Sequence, residues 1–149
     1  MEKICVVRIM SALKKRGDAQ STIKSLRLNK LHSCTIIDKT DANIGMLKKV
    51  DNLITYGELD EDSLKALLKR RAMVSKNKRY EWQENALDDF AAAFLSGKKT
   101  LKDLNIKEVF SLHPPTKGFE RKGKKTPFNL GGAFGYRGDK INLLLKRMI

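Results

Sequence analysis

The chain has 149 residues, 31 of them Lys or Arg against 17 Asp or Glu, for a formal charge of +14 and a pI near 9.9. That length fits one compact domain, or a small domain with an elaboration, and a hydrophobic content of 41% excludes a purely disordered tail. No run approaches the ~18–20 apolar residues of a membrane span, and Met1-Glu2-Lys3-Ile4 becomes charged too early for a signal peptide, so a soluble cytoplasmic chain is expected.

Residues 3–9, rich in β-branched side chains, predict a strand buried on both faces. A basic loop with Lys14, Lys15 and Arg16 follows, and Asp18 is the expected cap of a helix carrying Ala19, Ile23 and Leu26. Asn29 and Lys30 are expected to close it. Residues 32–38 predict a second strand. Thr40 is expected to cap a short helix with Ile44, Leu47 and Val50 on one side, and Gly45 inside it suggests the close approach of another backbone, of protein or RNA. Leu53 to Tyr56 is a third strand. This gives an α/β (α+β) βαβαβ core over residues 1–58, with helices on one face of the sheet.

Residues 59–112 read as a helical extension. Leu64, Leu67 and Leu68 mark one amphipathic helix to about Ala72. Lys76, Lys78 and Arg79 then stand beside Tyr80 and Trp82. A second apolar stripe runs from Ala86 to Leu95 and ends at Gly97. Thr100 and Asp103 resemble a capping box, and Val109 to Leu112 predicts a last short strand. Residues 113–149 form a basic Gly/Pro-rich segment with a C-terminal helix, which Asp139 is expected to cap.

Charge is unevenly spread. Residues 1–60 carry 11 basic and 7 acidic groups, residues 61–110 carry 11 and 8, and residues 111–149 carry 9 and 2. Half of the excess therefore lies in the last stretch, which points to a polyanion partner. Within residues 113–138 stand all three prolines and six of the ten glycines. Such a stretch is expected to lack helix and central strand, and to become ordered against a partner. Its Lys117, Arg121, Lys122, Lys124, Lys125 and Arg137 suit phosphates, and Phe119 and Tyr136 suit stacking on unpaired bases. Lys14, Lys15, Arg16, Arg27, Lys30 and His32 form a second candidate set near the first helix.

Three chemical alternatives are weak. Gly118 to Lys125 has the glycine and lysine spacing of a phosphate-binding loop, but Lys125 stands where Ser or Thr should ligate magnesium, and Pro127 follows where a helix should. Cys5, His32, Cys34 and His113 match no metal-ligand spacing, so two reduced, buried thiols are expected. Asp38, Asp41, Glu58, Asp60 and Glu61 sit where caps and helix dipoles explain them. No catalytic residue, metal or cofactor is therefore assigned.

Leu26-Arg-Leu-Asn-Lys-Leu-His-Ser-Cys-Thr-Ile-Ile-Asp38 followed by Asn43-Ile-Gly-Met-Leu-Lys-Lys-Val50 resembles the L30 family of large-subunit ribosomal proteins. The blocks Leu112-His-Pro-Pro-Thr-Lys-Gly-Phe119 and Pro127-Phe-Asn-Leu-Gly-Gly-Ala-Phe-Gly-Tyr-Arg-Gly138 are similar to the extension of its archaeal and eukaryotic members. A first strand beginning at Lys3 leaves no long basic N-terminal arm, which makes the archaeal form the nearest. The resemblance implies a ferredoxin-like core and a non-catalytic protein located in the cytoplasmic large ribosomal subunit. It also implies contacts with 23S-type ribosomal RNA and neighbouring ribosomal proteins, with no membrane and no small-molecule substrate. It leaves open whether 5S RNA is touched. The alternatives on charge alone are an RNA-processing enzyme and a DNA-compacting protein.

Overall fold

The computed structural model describes residues 2–13, 15–83 and 85–149. Three strands form the centre: β1 (Lys3–Arg8), β2 (Ser33–Asp38) and β3 (Ile54–Glu58). Both β2 and β3 pair antiparallel with β1, with Val7 opposite Cys34 and Thr55. Two edges are added by β4 (Val109–Ser111), antiparallel to β2, and β5 (Gly135–Tyr136), parallel to β3. The order is β4-β2-β1-β3-β5. As expected of its apolar run, β1 is buried on both faces, every residue from Ile4 to Arg8 being buried.

The alternation of β1 divides the core in two. Ile4 and Val6 face α1 (Gly17–Ser25) and α2 (Asp41–Lys49), meeting Ile23, Leu26 and Leu47. Cys5, Val7 and Ile9 face the opposite way, onto α3 (Glu61–Arg71), α4 (Ala86–Leu95) and α5 (Ile141–Met148). The two helices of the βαβαβ core thus share one face, and the helices that follow cover the other. Cys5 and Cys34 are free, buried thiols with sulfurs 3.2 Å apart. The hydrogen bond with Cys34, then burial, raises the Cys5 pKa and keeps it protonated.

Local signals decide several ends. Thr40 accepts the Asn43 amide at 3.3 Å and starts α2. Gly97, at φ +77°, follows the end of α4, and the Thr100–Asp103 box opens a 3-10 turn over Leu101–Leu104. Other ends differ from expectation. α1 begins at Gly17, so Asp18 lies inside the first turn rather than at the cap, and the helix stops at Ser25 because Arg27 turns left-handed, at φ +59°. Asp139 lies in a 3-10 turn (Gly138–Lys140) that leads into α5, where its carbonyl accepts Asn142 Nδ2 at 2.9 Å. Among the described residues, nothing outside its own helix lies within 4 Å of the Cβ position of Gly45.

The largest correction concerns the segment expected to await a partner. Residues 113–134 are held by the chain itself. His113 and Thr116 amides donate to the Met148 and Arg147 carbonyls, and Ala133 is fully buried. Glycine is required at Gly132, where a Cβ would lie 1.9 Å from the Thr126 carbonyl oxygen, and at Gly57, where it would lie 2.0 Å from that of Gly138. Both are places where two backbones close on each other.

Candidate nucleic-acid interface

Strand directions place the basic segments together. The C-terminal ends of β1 and β4 and the N-terminal ends of β2, β3 and β5 all lie at one end of the sheet. From that end emerge the loop after β1, the return from α1 to β2 and the long connection between β4 and β5. Lys15, Arg16, Lys30, Lys117, Arg121, Lys122 and Lys125 are exposed there. None of them, nor Lys124, has a carboxylate within 4.0 Å among the described residues, although nine ion pairs tie up other cations. Lys14 lies outside the described residues.

A buried arginine shapes this end. The Arg8 guanidinium donates to the carbonyls of Met10 (3.0 Å), Leu28 (2.8 Å) and Asn29 (2.8 Å). It clamps the loop that leads to Lys15 and Arg16 onto the turn that leads to Lys30. Burial lowers its pKa. Sequence reading missed this role because a charged residue at a strand end reads as a surface group.

His32, Phe119 and Lys124 form a stack. The His32 ring lies 6.2 Å from that of Phe119 at an interplanar angle of 19°, and the Lys124 ammonium sits 4.7 Å from the Phe119 centroid. Phe119 is thus partly occupied by protein groups, one aromatic and one cationic. Burial, then the Lys124 charge, holds the His32 imidazole below its ordinary pKa. The unfolded chain therefore binds this proton more readily, so stability is full above the usual histidine range and falls as pH drops below it. Denaturant titrations at pH 7.0 and 5.5 should show a smaller loss in His32→Asn than in the parent. Asn tolerates the φ of +59° at this position.

Two candidate residues are otherwise engaged. Arg27 is half-exposed and paired with Glu108, just before β4. Arg137, expected on the surface, is inside: its side chain is 1% exposed. It donates to Thr55 Oγ1 (2.7 Å), the Ala133 carbonyl (2.6 Å) and both Glu120 oxygens (2.7 and 3.3 Å), and lies 4.5 Å from the Phe128 centroid. It holds β5 to β3, with four of its five N–H donors committed to protein acceptors. Tyr136 remains exposed, its hydroxyl 2.8 and 2.9 Å from the Glu58 carboxylate oxygens.

The structure adds cations that the candidate sets lacked. Lys69, Arg70, Lys76, Lys78 and Arg79 are exposed at the end of α3 and in the tight hairpin after it, without ion pairs among the described residues. Arg71 donates to the Ile149 carbonyl at 2.6 Å, next to the residue that binds His113, so this patch adjoins the start of the long connection. The charge run was visible in the sequence. Its neighbourhood depends on α3 running back toward the same end as β4. Tyr80 and Trp82, in contrast, pack inward, with Trp82 Nε1 donating to the Leu68 carbonyl at 3.1 Å.

Asp38 and Glu58, weighed above for chemistry, are engaged by protein groups. Asp38 pairs with Lys3 at 2.5 Å and Glu58 with Lys39 and Tyr136. Gly118 and Gly123 turn left-handed but lead into turns, not a helix. No group of three His, Cys, Asp or Glu among the described residues could hold a metal.

A family described as ribosomal protein L30p/L7e matches residues 4–54. Large ribosomal subunit protein uL30 of Methanococcus maripaludis is 43% identical over 150 positions, covering 97% of both chains. The protein of that name from Nanoarchaeum equitans is 40% identical over the whole of both chains, and that from Methanopyrus kandleri is 38% identical over 90% of this chain and 95% of its own. With an archaeal-type core, extension and C-terminal segment all matched, this chain belongs to the ribosomal protein L30p/L7e family.

Proposed function

We propose that this chain is a non-catalytic structural constituent of the large ribosomal subunit, where it binds folded 23S-type ribosomal RNA through the basic end of its sheet. The observation that carries the reading is the gathering of unpaired lysines and arginines from three separate loops onto one end of a rigid core. Cations placed between packed phosphates reduce their repulsion and release condensed counterions. A-form grooves hide most base edges, so backbone and shape contacts dominate. Lys15, Arg16, Lys30, Lys117, Arg121, Lys122, Lys124 and Lys125 contact phosphate, and the patch from Lys69 to Arg79 extends the same surface. Neighbouring ribosomal proteins meet the remaining faces.

In gradient sedimentation of cell extract, a tagged chain should travel with large subunits at about 0.1 M salt and be released as salt rises, because screening shortens with ionic strength. A chain that stays at the top of the gradient at low salt would overturn the proposal.

A further inference from the structure

Beside β5 lies a hollow of about 390 Å³, lined among others by Lys48, Asp51, Tyr56, Phe128, Asn129 and Tyr136. It opens at the same end of the sheet as the basic loops, because Asp51 immediately precedes β3 and Phe128 precedes β5. Its volume falls within the ~300–1,000 Å³ of small-ligand pockets.

Two features of the hollow leave room for a ligand. The first is an aromatic surface left in solvent. Tyr136 is 54% exposed, yet its ring is fixed, pinned by Glu58 at its hydroxyl and tilted against Tyr56 at 5.6 Å. A ring held in place without being covered is a preorganised stacking platform. The second is a half-buried carboxylate with no cation. Asp51 has no ion pair among the described residues, and Lys48 stands at the rim without reaching it. Burial raises its pKa against the opposing pull of the Tyr56 hydroxyl. A half-buried carboxylate lining the same hollow as an aromatic platform suits a planar ligand with paired N–H donors.

We propose that this hollow receives an unpaired guanine of the bound RNA, stacked on Tyr136, with its Watson–Crick edge turned to Asp51. The proposal rests on the RNA-binding reading above and names one contact within it. Guanine alone among the four bases presents two adjacent donors on that edge, N1–H and N2–H, which a carboxylate accepts together. Adenine and cytosine place a ring acceptor beside the amino group, and uracil flanks its one N–H with carbonyls. Lys48 at the rim meets the attached phosphate.

The test uses the full chain with octauridylate carrying one central guanosine, inosine or adenosine, at about 50 mM salt. The guanosine probe should bind about tenfold tighter than the adenosine probe, with inosine between them because it lacks the amino group. Asp51→Asn should bring the guanosine-to-adenosine ratio close to one. Tyr136→Leu should weaken the guanosine probe about tenfold, and Tyr136→Phe should restore most of the loss. Far-UV circular dichroism checks that each variant is folded. Equal binding of the guanosine and adenosine probes by the parent chain overturns the proposal while leaving the RNA reading intact. Failure to bind any probe in a salt-dependent way also overturns the guanine contact, while the RNA reading falls separately, on failure to travel with large subunits. If a short arginine peptide perturbs the Tyr136 resonances and the guanosine probe does not, the hollow serves a protein neighbour and the guanine proposal falls.

Discussion

Replacing Lys117, Arg121, Lys122 and Lys125 together with glutamine is expected to lower affinity for large-subunit ribosomal RNA about 10³-fold at 0.1 M salt. Each phosphate contact contributes a slope of ~0.7–0.9 in log affinity against log salt, so four lost contacts weaken binding and flatten the salt dependence by about three units. The parent, with ~6–10 contacts, should itself lose ~10³–10⁵ in affinity between 50 and 200 mM salt. These four side chains are exposed and carry no ion pair among the described residues, so the melting temperature should hardly move. Filter binding across a salt series measures both quantities. An unchanged slope would remove the β4–β5 connection from the interface.

Arg137→Leu is expected to act in the opposite way, on stability first. The substitution removes a buried guanidinium that joins Glu120, Thr55 and the Ala133 carbonyl. Breaking a buried pair from one side costs ~3–5 kcal/mol, and the low end applies here because Glu120 is partly exposed and keeps Arg147 at 3.6 Å. A loss of about 3 kcal/mol corresponds to a fall of ~6–12 °C in melting temperature for a domain of this size. Arg137→Lys should recover only part, since one ammonium cannot reproduce a forked set of bonds. Were the arginine a phosphate ligand instead, Arg137→Leu would leave thermal unfolding alone and weaken only RNA binding.

The contrast between these two experiments shows what a sequence makes legible. Signals confined to a few neighbouring residues were readable: the apolar run of β1, the Thr40 cap, the leucine spacing of α3, Gly97 after α4, and the Thr100–Asp103 box. The basic segments were readable as candidates, because charge and glycine content are local properties. Their meeting at one end was not, since it follows from strand directions fixed by pairing across dozens of residues. The burial of Arg137 was hidden for the same reason: its partners Thr55 and Glu120 lie 82 and 17 positions away. The order of residues 113–134 was hidden likewise, because it depends on α5 returning beneath them.

The clamps made by Arg8 and Arg137 bear on kinetics. Loops already fastened to their scaffold meet a polyanion without first searching for a shape. On the proposed RNA-binding reading, encounter is then governed by diffusion in the long-range field of a +14 molecule, which favours rapid capture and correct orientation before first touch.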